Sequence, residues 1–430
     1  FLRKILGDKR GNALLIVAGA MPMIVGCAGL ASDTIQWSLW KRQLQRAADS
    51  AAIAGVYDRV NSSGSTTTVA ATVAHDLTLN QHTWMSNLTG YPAVTYPANS
   101  GVMTNQVKVS LAIQQSLPFS SLFMTAAPTI IANSTAAGVP GVGEYCVVSL
   151  EPLASNTGIT IGGSANIDMD CGMISNSPAT NSALANGNSS RVSATVIAAV
   201  GGVQASNSWT VGQYTPYSPP YADPFANVPV PIPSGCTAFP SSNNLNFASD
   251  PAHASGKTVC YNSNMTIKGD VVLGPATYIL DAASIKMTTT AASLTCNGCT
   301  IILTSSTAST TPSSIGTMSV SGGRLNLVAP TTGTYKGMAL YQDRRALDSA
   351  GTNIINGNSG SIVQGTIYFP SQQLTYNGDG TTVAVCTQFV TRRIIFTGNN
   401  TTSNKFAKGS TCGDTVAGTL GGGRLVRLVA

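Results

Sequence analysis

The chain has 430 residues but few charges: 23 lysines and arginines and 17 aspartates and glutamates, or 9% of the sequence. Soluble globular domains usually carry roughly 25% charged residues, so this composition argues against an ordinary cytosolic enzyme. The net charge of +6 is dilute and forms no basic stripe in most of the chain, which argues against nucleic-acid binding. Abundant Ser, Thr, Asn and Gly are typical of an exported, β-rich protein.

The first 60 residues hold most of the charge imbalance, with eight basic and four acidic side chains. Residues 13–31 are uncharged and nearly all apolar, which is just long enough for a helix that spans a membrane. Basic side chains precede this stretch, so we predict a cytoplasmic segment 1–12, a transmembrane helix 13–32 and export of the remainder. A cleavable signal peptide is the alternative, because residues 28–31 resemble a cleavage site.

A second, amphipathic helix is predicted over residues 33–60, with Asp33 as its N-cap. Apolar side chains recur there at helical spacing and predict a helix interface. This interface consists of Trp37, Trp40, Leu44, Ala48 and Ala51. The two tryptophans lie where an interfacial aromatic belt is expected, so we interpret them as membrane-surface anchors rather than as a ligand site.

Several short motifs follow one another in this N-terminal region. Arg10-Gly11-Asn12 precedes the span, Pro22 lies within it, Gly29-Leu30-Ala31-Ser32-Asp33 ends it, and the alanine-rich run 44–55 follows. In this order they resemble the TadE/TadG-like proteins of the tight-adherence (Flp-type) pilus machinery. The resemblance implies an inner-membrane anchor, a periplasmic domain and a role in pilus biogenesis or adherence. It also implies TadE-like and TadF-like proteins or pilins as partners.

Later motifs are similar to the TadG branch of that family. They are Cys146-Val147-Val148-Ser149-Leu150, the turn Cys171-Gly172 with Asn176-Ser177, and Asp223-Pro224-Phe225-Ala226. Many TadG proteins carry a von Willebrand A domain, whose metal site needs an Asp-x-Ser-x-Ser loop. This sequence has no such loop, so we predict neither that domain nor its metal. Phe1 resembles the first residue of a mature type IV pilin, but the charged residues that follow differ from a pilin helix.

A small α/β module is predicted over residues 61–140. We expect a helix near 68–77, a strand at 107–113, a helix from 118 to 123 and a second strand at 128–137. From residue 141 to the C-terminus, short apolar alternations recur between Gly, Asn and Thr, with little helical signal. Strand starts at 271, 285, 300 and 318 predict rungs of a parallel β-helix, with a β-sandwich as the alternative.

The predicted fold is therefore mixed: a transmembrane and amphipathic helix, a small α/β module and a large all-β domain. Within that domain, the proline-rich stretch 214–240 cannot form a regular strand. We expect it to run along the outside and separate early rungs from later ones. Residues 424–430 alternate and are predicted to form a closing strand.

Nine cysteines indicate an oxidising compartment. Cys27 lies in the predicted span and is expected to be a buried apolar residue. The other eight imply disulfides in the exported part. Pairing of sequence neighbours is the simplest arrangement: Cys146 with Cys171, Cys236 with Cys260, Cys296 with Cys299, and Cys386 with Cys412. We interpret Cys296 and Cys299 as a structural clip rather than a redox pair, and the three histidines are too scattered for a zinc site.

Catalytic side chains are sparse. Glu144 and Glu151 are the only glutamates, and no catalytic triad or phosphate loop is recognisable. Asp343, Arg344 and Arg345 form a candidate contact for an anionic glycan or a partner carboxylate, and Arg392-Arg393 is a second basic pair. We favour the alternative, in which these residues form a solvated loop with local ion pairs. We therefore expect no enzyme activity, no cofactor and no metal. A β-helix enzyme that processes glycans is the alternative. It would need a groove with two carboxylates, or a basic cluster beside a carboxylate, within about 10 Å.

The sequence as a whole predicts a non-enzymatic, membrane-anchored component of Tad/Flp pilus assembly or adherence. Its N-terminus would lie in the bacterial cytoplasm and its main domain in the periplasm or at the cell surface. The β-rich domain would bind a surface glycan or another protein, and oligomers would fit this role. A filament subunit, minor pilin or pilus-tip adhesin is the alternative.

Overall fold

The computed structural model describes residues 12–82, 85–141, 144–187, 189–356, 361–377, 383–384, 386–398, 401–404, 416–417 and 424–429. The predicted cytoplasmic segment, apart from its last residue, lies outside this set. The chain divides into two compact units. One contains residues up to 139 together with 425–430, and the other contains residues 140–424. The C-terminal strand therefore belongs to the first unit, whereas we predicted that it closes the β domain.

A single continuous helix, α1 (Asn12–Asn61), takes the place of the two predicted helices. The prediction that a new helix starts at Asp33 was wrong, because α1 runs through this position without a break. Pro22 lies within α1, where it removes one backbone hydrogen bond. The helix ends where Gly64 adopts a positive φ of 92° and donates its N–H to the Arg59 carbonyl at 2.7 Å.

The first unit continues with a short helix and an antiparallel sheet, close to the predicted α/β module. Helix α2 spans Val69–Asn80, and a 3-10 turn, η1 (Ser120–Leu122), lies where we expected a longer helix. The sheet has the strand order β1-β2-β3-β27. These strands are β1 (Ala93–Thr95), β2 (Thr104–Gln114), β3 (Thr129–Pro140) and β27 (Arg424–Leu428). Alternate residues of β2, including Val107 and Leu111, are fully buried in a core shared with α1 and α2.

The second unit is built from short strands and 3-10 turns. Its early strands are β4 (Tyr145–Ser149), β5 (Ile159–Ile161), β6 (Asn166–Met169), β7 (Gly172–Ser175), β8 (Ala183–Ala185), β9 (Arg191–Ala199) and β10 (Trp209–Thr215). The middle strands are β11 (Leu245–Asn246), β12 (Thr258–Tyr261), β13 (Met265–Ile267), β14 (Asp270–Leu273), β15 (Thr277–Asp281), β16 (Ile285–Met287), β17 (Ser293–Asn297), β18 (Thr300–Thr304) and β19 (Met318–Val320).

The remaining strands are β20 (Arg324–Val328), β21 (Met338–Gln342), β22 (Asn353–Asn356), β23 (Ile362–Asn377), β24 (Val383–Ala384), β25 (Thr387–Phe396) and β26 (Thr401–Asn404). The 3-10 turns are η2 (Pro251–His253), η3 (Pro312–Ser314) and η4 (Asp348–Ala350). Long strands such as β23 and β25 bend across two faces. They join the pairings into one sheet that closes around the core.

Each middle strand pairs in parallel with the strand three places further along the chain, such as β12 with β15 and β15 with β18. Three consecutive strands therefore form one complete coil of the chain, here called a rung. Parallel pairing of successive rungs is the pattern of a β-helix and excludes the antiparallel pairs of a β-sandwich within the described strands. The predicted mixed fold, with a large parallel β domain, is confirmed.

The predicted spacing of the rungs, by contrast, was wrong. Val271 pairs with Leu294, and Leu294 with Leu325, so these residues stack one above another in the core. Of the four predicted starts, Ile285 and Met318 pair directly and occupy equivalent positions of successive rungs, whereas 271 and 300 belong to strands that stack elsewhere on the coil. Local alternation identifies a strand, but it does not tell which face of a coil the strand occupies.

The order of rungs in space differs from their order in the sequence. The chain enters in the middle, because β25 pairs with β4 and β5, so the last rungs stack on the first. From there the early rungs extend to β10 at one end, whereas β11–β13 lie at the other end. Residues 216–244, here called the strap, connect these two ends and contain no regular strand. Their position along the outside is the one that we predicted for the proline-rich stretch.

The strap covers an apolar outer face of the solenoid. Phe225 of the strap is buried, and its ring packs edge-on against Tyr368 with the ring centres 5.5 Å apart. Tyr341 is also fully buried beneath this layer, and its hydroxyl donates to the Val228 carbonyl at 3.3 Å. The second unit therefore has two apolar layers, one inside the coil and one between the coil and the strap.

Candidate functional site

The first half of α1 presents large apolar side chains to its surroundings. Each is more than half exposed: Ile16, Val17, Met21, Met23, Ile24, Val25 and Leu30. The described part of the chain contains one helix that is long and apolar enough to cross a membrane, and this is α1. A soluble protein rarely leaves such a continuous apolar surface uncovered. Cys27, predicted to be buried in the span, is exposed on the isolated chain.

The second half of α1 packs within the first unit. Leu44, Ala48 and Ala51, three of the predicted interface residues, are fully buried against α2 and the sheet. Trp40 packs against the same core, whereas Trp37 is 40% exposed. The predicted interface residues are thus divided. Three of them form an internal core, and Trp37 remains accessible to a membrane or a partner.

Asp33 has a role other than the predicted N-cap of α1. Its side chain is buried, and its carboxylate accepts a hydrogen bond from the Phe119 backbone N–H at 2.9 Å. It also accepts hydrogen bonds from the backbone N–H and the hydroxyl of Ser120. The carboxylate therefore caps η1 and ties it to α1 just beyond the apolar stretch. Sequence periodicity gives no signal for this contact, because the partners are distant in the chain.

The cysteines lie in pairs along the second unit. The structure contains the disulfides Cys146–Cys171, Cys236–Cys260 and Cys296–Cys299. Cys386 is also disulfide-bonded, and its predicted partner Cys412 lies outside the described residues. One bond joins neighbouring early rungs, another ties the strap to β12, and the third closes a tight corner. Their positions indicate cross-links that hold the coil together.

The predicted ligand contact at residues 343–345 is engaged within the protein. Asp343 is fully buried and pairs with Arg345, with 2.6 Å between carboxylate and guanidinium. Burial by itself raises the pKa of Asp343, but hydrogen bonds from Arg345 and Thr304 outweigh it and leave the pKa below its ordinary value. Arg345 is exposed, and Arg344 is half-buried. The local ion pair that we expected is present, but its carboxylate is buried rather than solvated.

Arg344 points to the strap and not to solvent. Its guanidinium donates to the carbonyls of Phe225 and Val228, and its Nε donates to the Tyr368 hydroxyl at 3.2 Å. The Tyr368 hydroxyl in turn donates to Asp223 at 2.6 Å. A single arginine thus satisfies two backbone carbonyls of a segment without regular structure. The predicted ligand residue therefore fixes the strap.

An ion-pair network that the sequence did not predict joins the first rungs to the last. Glu151, fully buried, contacts Arg392 at 3.0 Å and Arg393 at 2.6 Å. Arg393 also contacts Asp348 at 2.7 Å. Burial by itself raises the pKa of Glu151, but hydrogen bonds from the two arginines outweigh it and leave the pKa below its ordinary value. The only sequence signal was the Arg392-Arg393 pair, with no indication of its partners.

This network brings two carboxylates together, which is the arrangement that a glycosidase would need. A general acid at neutral pH, however, requires a carboxyl group with a raised pKa, and the pKa of Glu151 is lowered. Among the residues that the structure describes, no three His, Cys, Asp or Glu side chains lie close enough to hold a metal ion. The chemistry of the cluster is that of a structural ion pair.

The long helix α1 also matches a known protein family. A family described as "Putative Flp pilus-assembly TadE/G-like" matches residues 11–58. The chain carries a TadE/G-like domain. This domain comprises nearly all of α1 and confirms the resemblance drawn from the sequence motifs. No curated protein and no solved structure matches the chain.

Proposed function

We propose that this chain is a membrane-anchored, non-enzymatic component of a Tad/Flp pilus system, of the TadG type without a von Willebrand A domain. The observation that carries the proposal is the TadE/G-like domain at residues 11–58, whose first half exposes a continuous apolar surface. The anchor spans the bacterial inner membrane, and the basic segment before it stays in the cytoplasm. The β domain lies in the periplasm and binds or scaffolds other components.

Two features of the second unit support a scaffolding role. Its disulfides suit an oxidising compartment outside the cytoplasm. Its carboxylate and arginine clusters are used in internal ion pairs, which supports a structural role for them rather than catalysis. A coil that is cross-linked and covered by a strap offers a rigid polar surface for a partner.

The partners of the anchor are TadE-like and TadF-like proteins. Beyond the apolar stretch, α1 still exposes Ile35, Trp37 and Leu39, which are 62%, 40% and 46% accessible. Exposed apolar side chains at the membrane surface provide a contact face for another helix. The buried Ala48, further along the same helix, offers no such surface.

Site-specific photocrosslinking in intact envelopes tests this proposal. A photoreactive amino acid at Leu39 is expected to crosslink to a TadE-like or TadF-like protein, identified by mass spectrometry. The same group at Thr288, an exposed position of the second unit, is the control and should give no such product. Absence of any Tad-system protein from the Leu39 product would contradict the proposal.

A second candidate function is a filament subunit or minor pilin. The continuity of α1 favours this function. Its exposed apolar half continues without a break into the half that packs on the sheet of the first unit. Such a helix could assemble with others in the centre of a filament. Mechanical shearing separates the two candidates, because a subunit leaves with the pili and an anchored component stays with the membrane.

A further inference from the structure

A pocket of about 300 Å³ lies on the second unit, at the corner between two faces of the middle rungs. Its floor consists of two short corners, at residues 275–277 and at Gly298. Its walls are longer connections on either side. One wall is formed by Ser255, Gly256 and Thr258 at the start of β12, and the other by Pro330 and residues 332–335 before β21. The two short connections lie between two longer ones in the stack of rungs, and this difference in length leaves a recess on the surface of the coil.

The floor is held rigid by the clip at Cys296 and Cys299. Between these cysteines, Gly298 adopts a positive φ of 81°, which residues with a side chain rarely adopt. A Cβ atom there would lie 3.3 Å from the Pro275 ring, so glycine also permits the close approach of two rungs. The CxxC motif, interpreted from the sequence as a structural clip, therefore shapes the bottom of this pocket.

The described residues that line the pocket are uncharged and rich in hydroxyl groups. Five of these hydroxyls have no hydrogen-bond partner within the part of the chain that the structure describes: Ser255, Thr258, Thr277, Thr332 and Thr334. Elsewhere in the unit, hydroxyls are used internally, as in the bond from Thr304 to Asp343. Each free hydroxyl can both donate and accept a hydrogen bond.

Tyr335 completes the wall with an aromatic ring. Its hydroxyl donates to the Pro229 carbonyl of the strap at 3.1 Å, and its ring centre lies 5.9 Å from that of Tyr341. The ring is thus fixed in place, and with Pro275 and Pro330 it supplies apolar surface next to the hydroxyls. Binding sites for small molecules typically combine such apolar surface with a few polar groups of fixed position.

We propose that this pocket binds a neutral saccharide. A sugar presents hydroxyls that donate and accept, together with an apolar C–H face, and both match the lining. Among the residues that the structure describes, no charged side chain lines the pocket to compensate a carboxylate or phosphate, which disfavours acidic sugars. The volume is at the small end of ligand sites and suits one or two sugar rings. The inference deepens the proposed function, since an exported domain would meet envelope or surface saccharides.

Titration calorimetry on the purified full chain in detergent micelles tests the proposal, with chitotriose, maltotriose and mannotriose as neutral probes and trigalacturonic acid as the acidic probe. We expect one neutral probe to bind and the acidic probe to bind at least tenfold more weakly. Thr332→Val together with Thr334→Val should weaken binding about tenfold or more, because two hydrogen bonds are lost. The matched control, Thr288→Val with Thr290→Val, changes two exposed threonines outside the pocket and should not alter binding.

Two outcomes would overturn the saccharide proposal: no binding of any neutral probe, or binding that the variants at 332 and 334 leave unchanged. A thermal unfolding curve for each variant verifies that it is folded. A second variant, Thr334→Trp, should fill the pocket and abolish binding. Crosslinking from Leu39 is independent of this pocket, so failure here and failure of the proposed anchor function are distinguishable.

Discussion

At the scale of single residues, the scarce charges of this chain are placed where they hold segments together. Glu151 connects an early rung with Arg392 and Arg393 of a late one, and Arg344 fastens the strap. Removal of the arginines would leave the buried carboxylate without a compensating charge, and removal of the carboxylate would leave the arginines without one. Removal of one member is therefore expected to cost more free energy than the intact pair contributes.

Glu151→Gln should lower the free energy of unfolding of the second unit by about 3 kcal/mol, because two arginines lose their buried partner. Thermal or denaturant unfolding of the purified chain measures this. The only other glutamate, Glu144, provides the matched control, and Glu144→Gln should change stability by less than about 0.5 kcal/mol. Equal effects of the two variants would contradict the role assigned to the network.

The same network predicts a pH dependence. The folded-state pKa of Glu151 is lowered from its ordinary value of 4.5, so its contribution to stability is fully present above pH 4.5. That contribution is lost as the pH falls below 4.5 and through the folded-state pKa. The melting temperature of the native chain should therefore decrease from pH 5 to pH 3 more steeply than that of Glu151→Gln. Parallel curves would show that Glu151 is not the titrating group.

Arg344→Ala should loosen the strap, because two backbone carbonyls and the Tyr368 hydroxyl lose their donor. Limited proteolysis should then cleave within residues 216–244 faster than in the native protein. Arg324, an exposed arginine on β20, is the control position, and Arg324→Ala should leave the cleavage rate unchanged. If both variants behave like the native protein, Arg344 does not hold the strap.

At the scale of elements, the sequence predicted those features that are encoded locally. The alternation of Val107, Val109, Leu111 and Ile113 predicted β2, and the proline-rich composition predicted the irregular strap. Asp33 shows the limit of such reasoning, because a typical N-cap residue proved to cap a different element, η1. Pairing of β4 with β25 was not predictable either, since parallel pairing of strands distant in the chain leaves no local pattern.

The packing of α1 against the sheet depends on a close approach at Gly55. A Cβ atom there would lie 2.9 Å from Val107 and 3.2 Å from Val73. Gly55→Val should therefore force the helix away and destabilise the first unit by about 1–3 kcal/mol. Hydrogen exchange of β2 peptides should become faster. Gly26, where an added Cβ atom would meet no other atom within 4 Å, is the matched control, and Gly26→Val should leave β2 exchange unchanged.

At the scale of the whole molecule, the β-helix stacks rungs that are far apart in the sequence directly on one another. Phe389 of β25 is buried in the stack, with ring contacts to Tyr376 and Phe396, and β25 supports β4 directly. The early rungs therefore pack on strands from the C-terminal part of the second unit. The first and last strands of the second unit in sequence should therefore unfold together.

Phe389→Ala should destabilise the stack by about 3–5 kcal/mol through loss of a buried aromatic side chain. Hydrogen exchange should accelerate in β4 as much as in β25, although the two strands are distant in sequence. Val272→Ala, at a half-buried position of β14, is the control and should affect neither strand. Faster exchange in β25 alone would contradict the rung order.

The central claim is that the TadE/G-like helix anchors an exported β domain in the inner membrane. Fractionation of mechanically sheared cells, with an antibody against the second unit, tests it most directly. The claim predicts that the chain remains in the inner-membrane fraction and that replacement of residues 1–32 by a cleavable signal peptide releases it into the periplasm. Recovery of the native chain with the sheared pili, and its absence from the inner membrane, would contradict the claim.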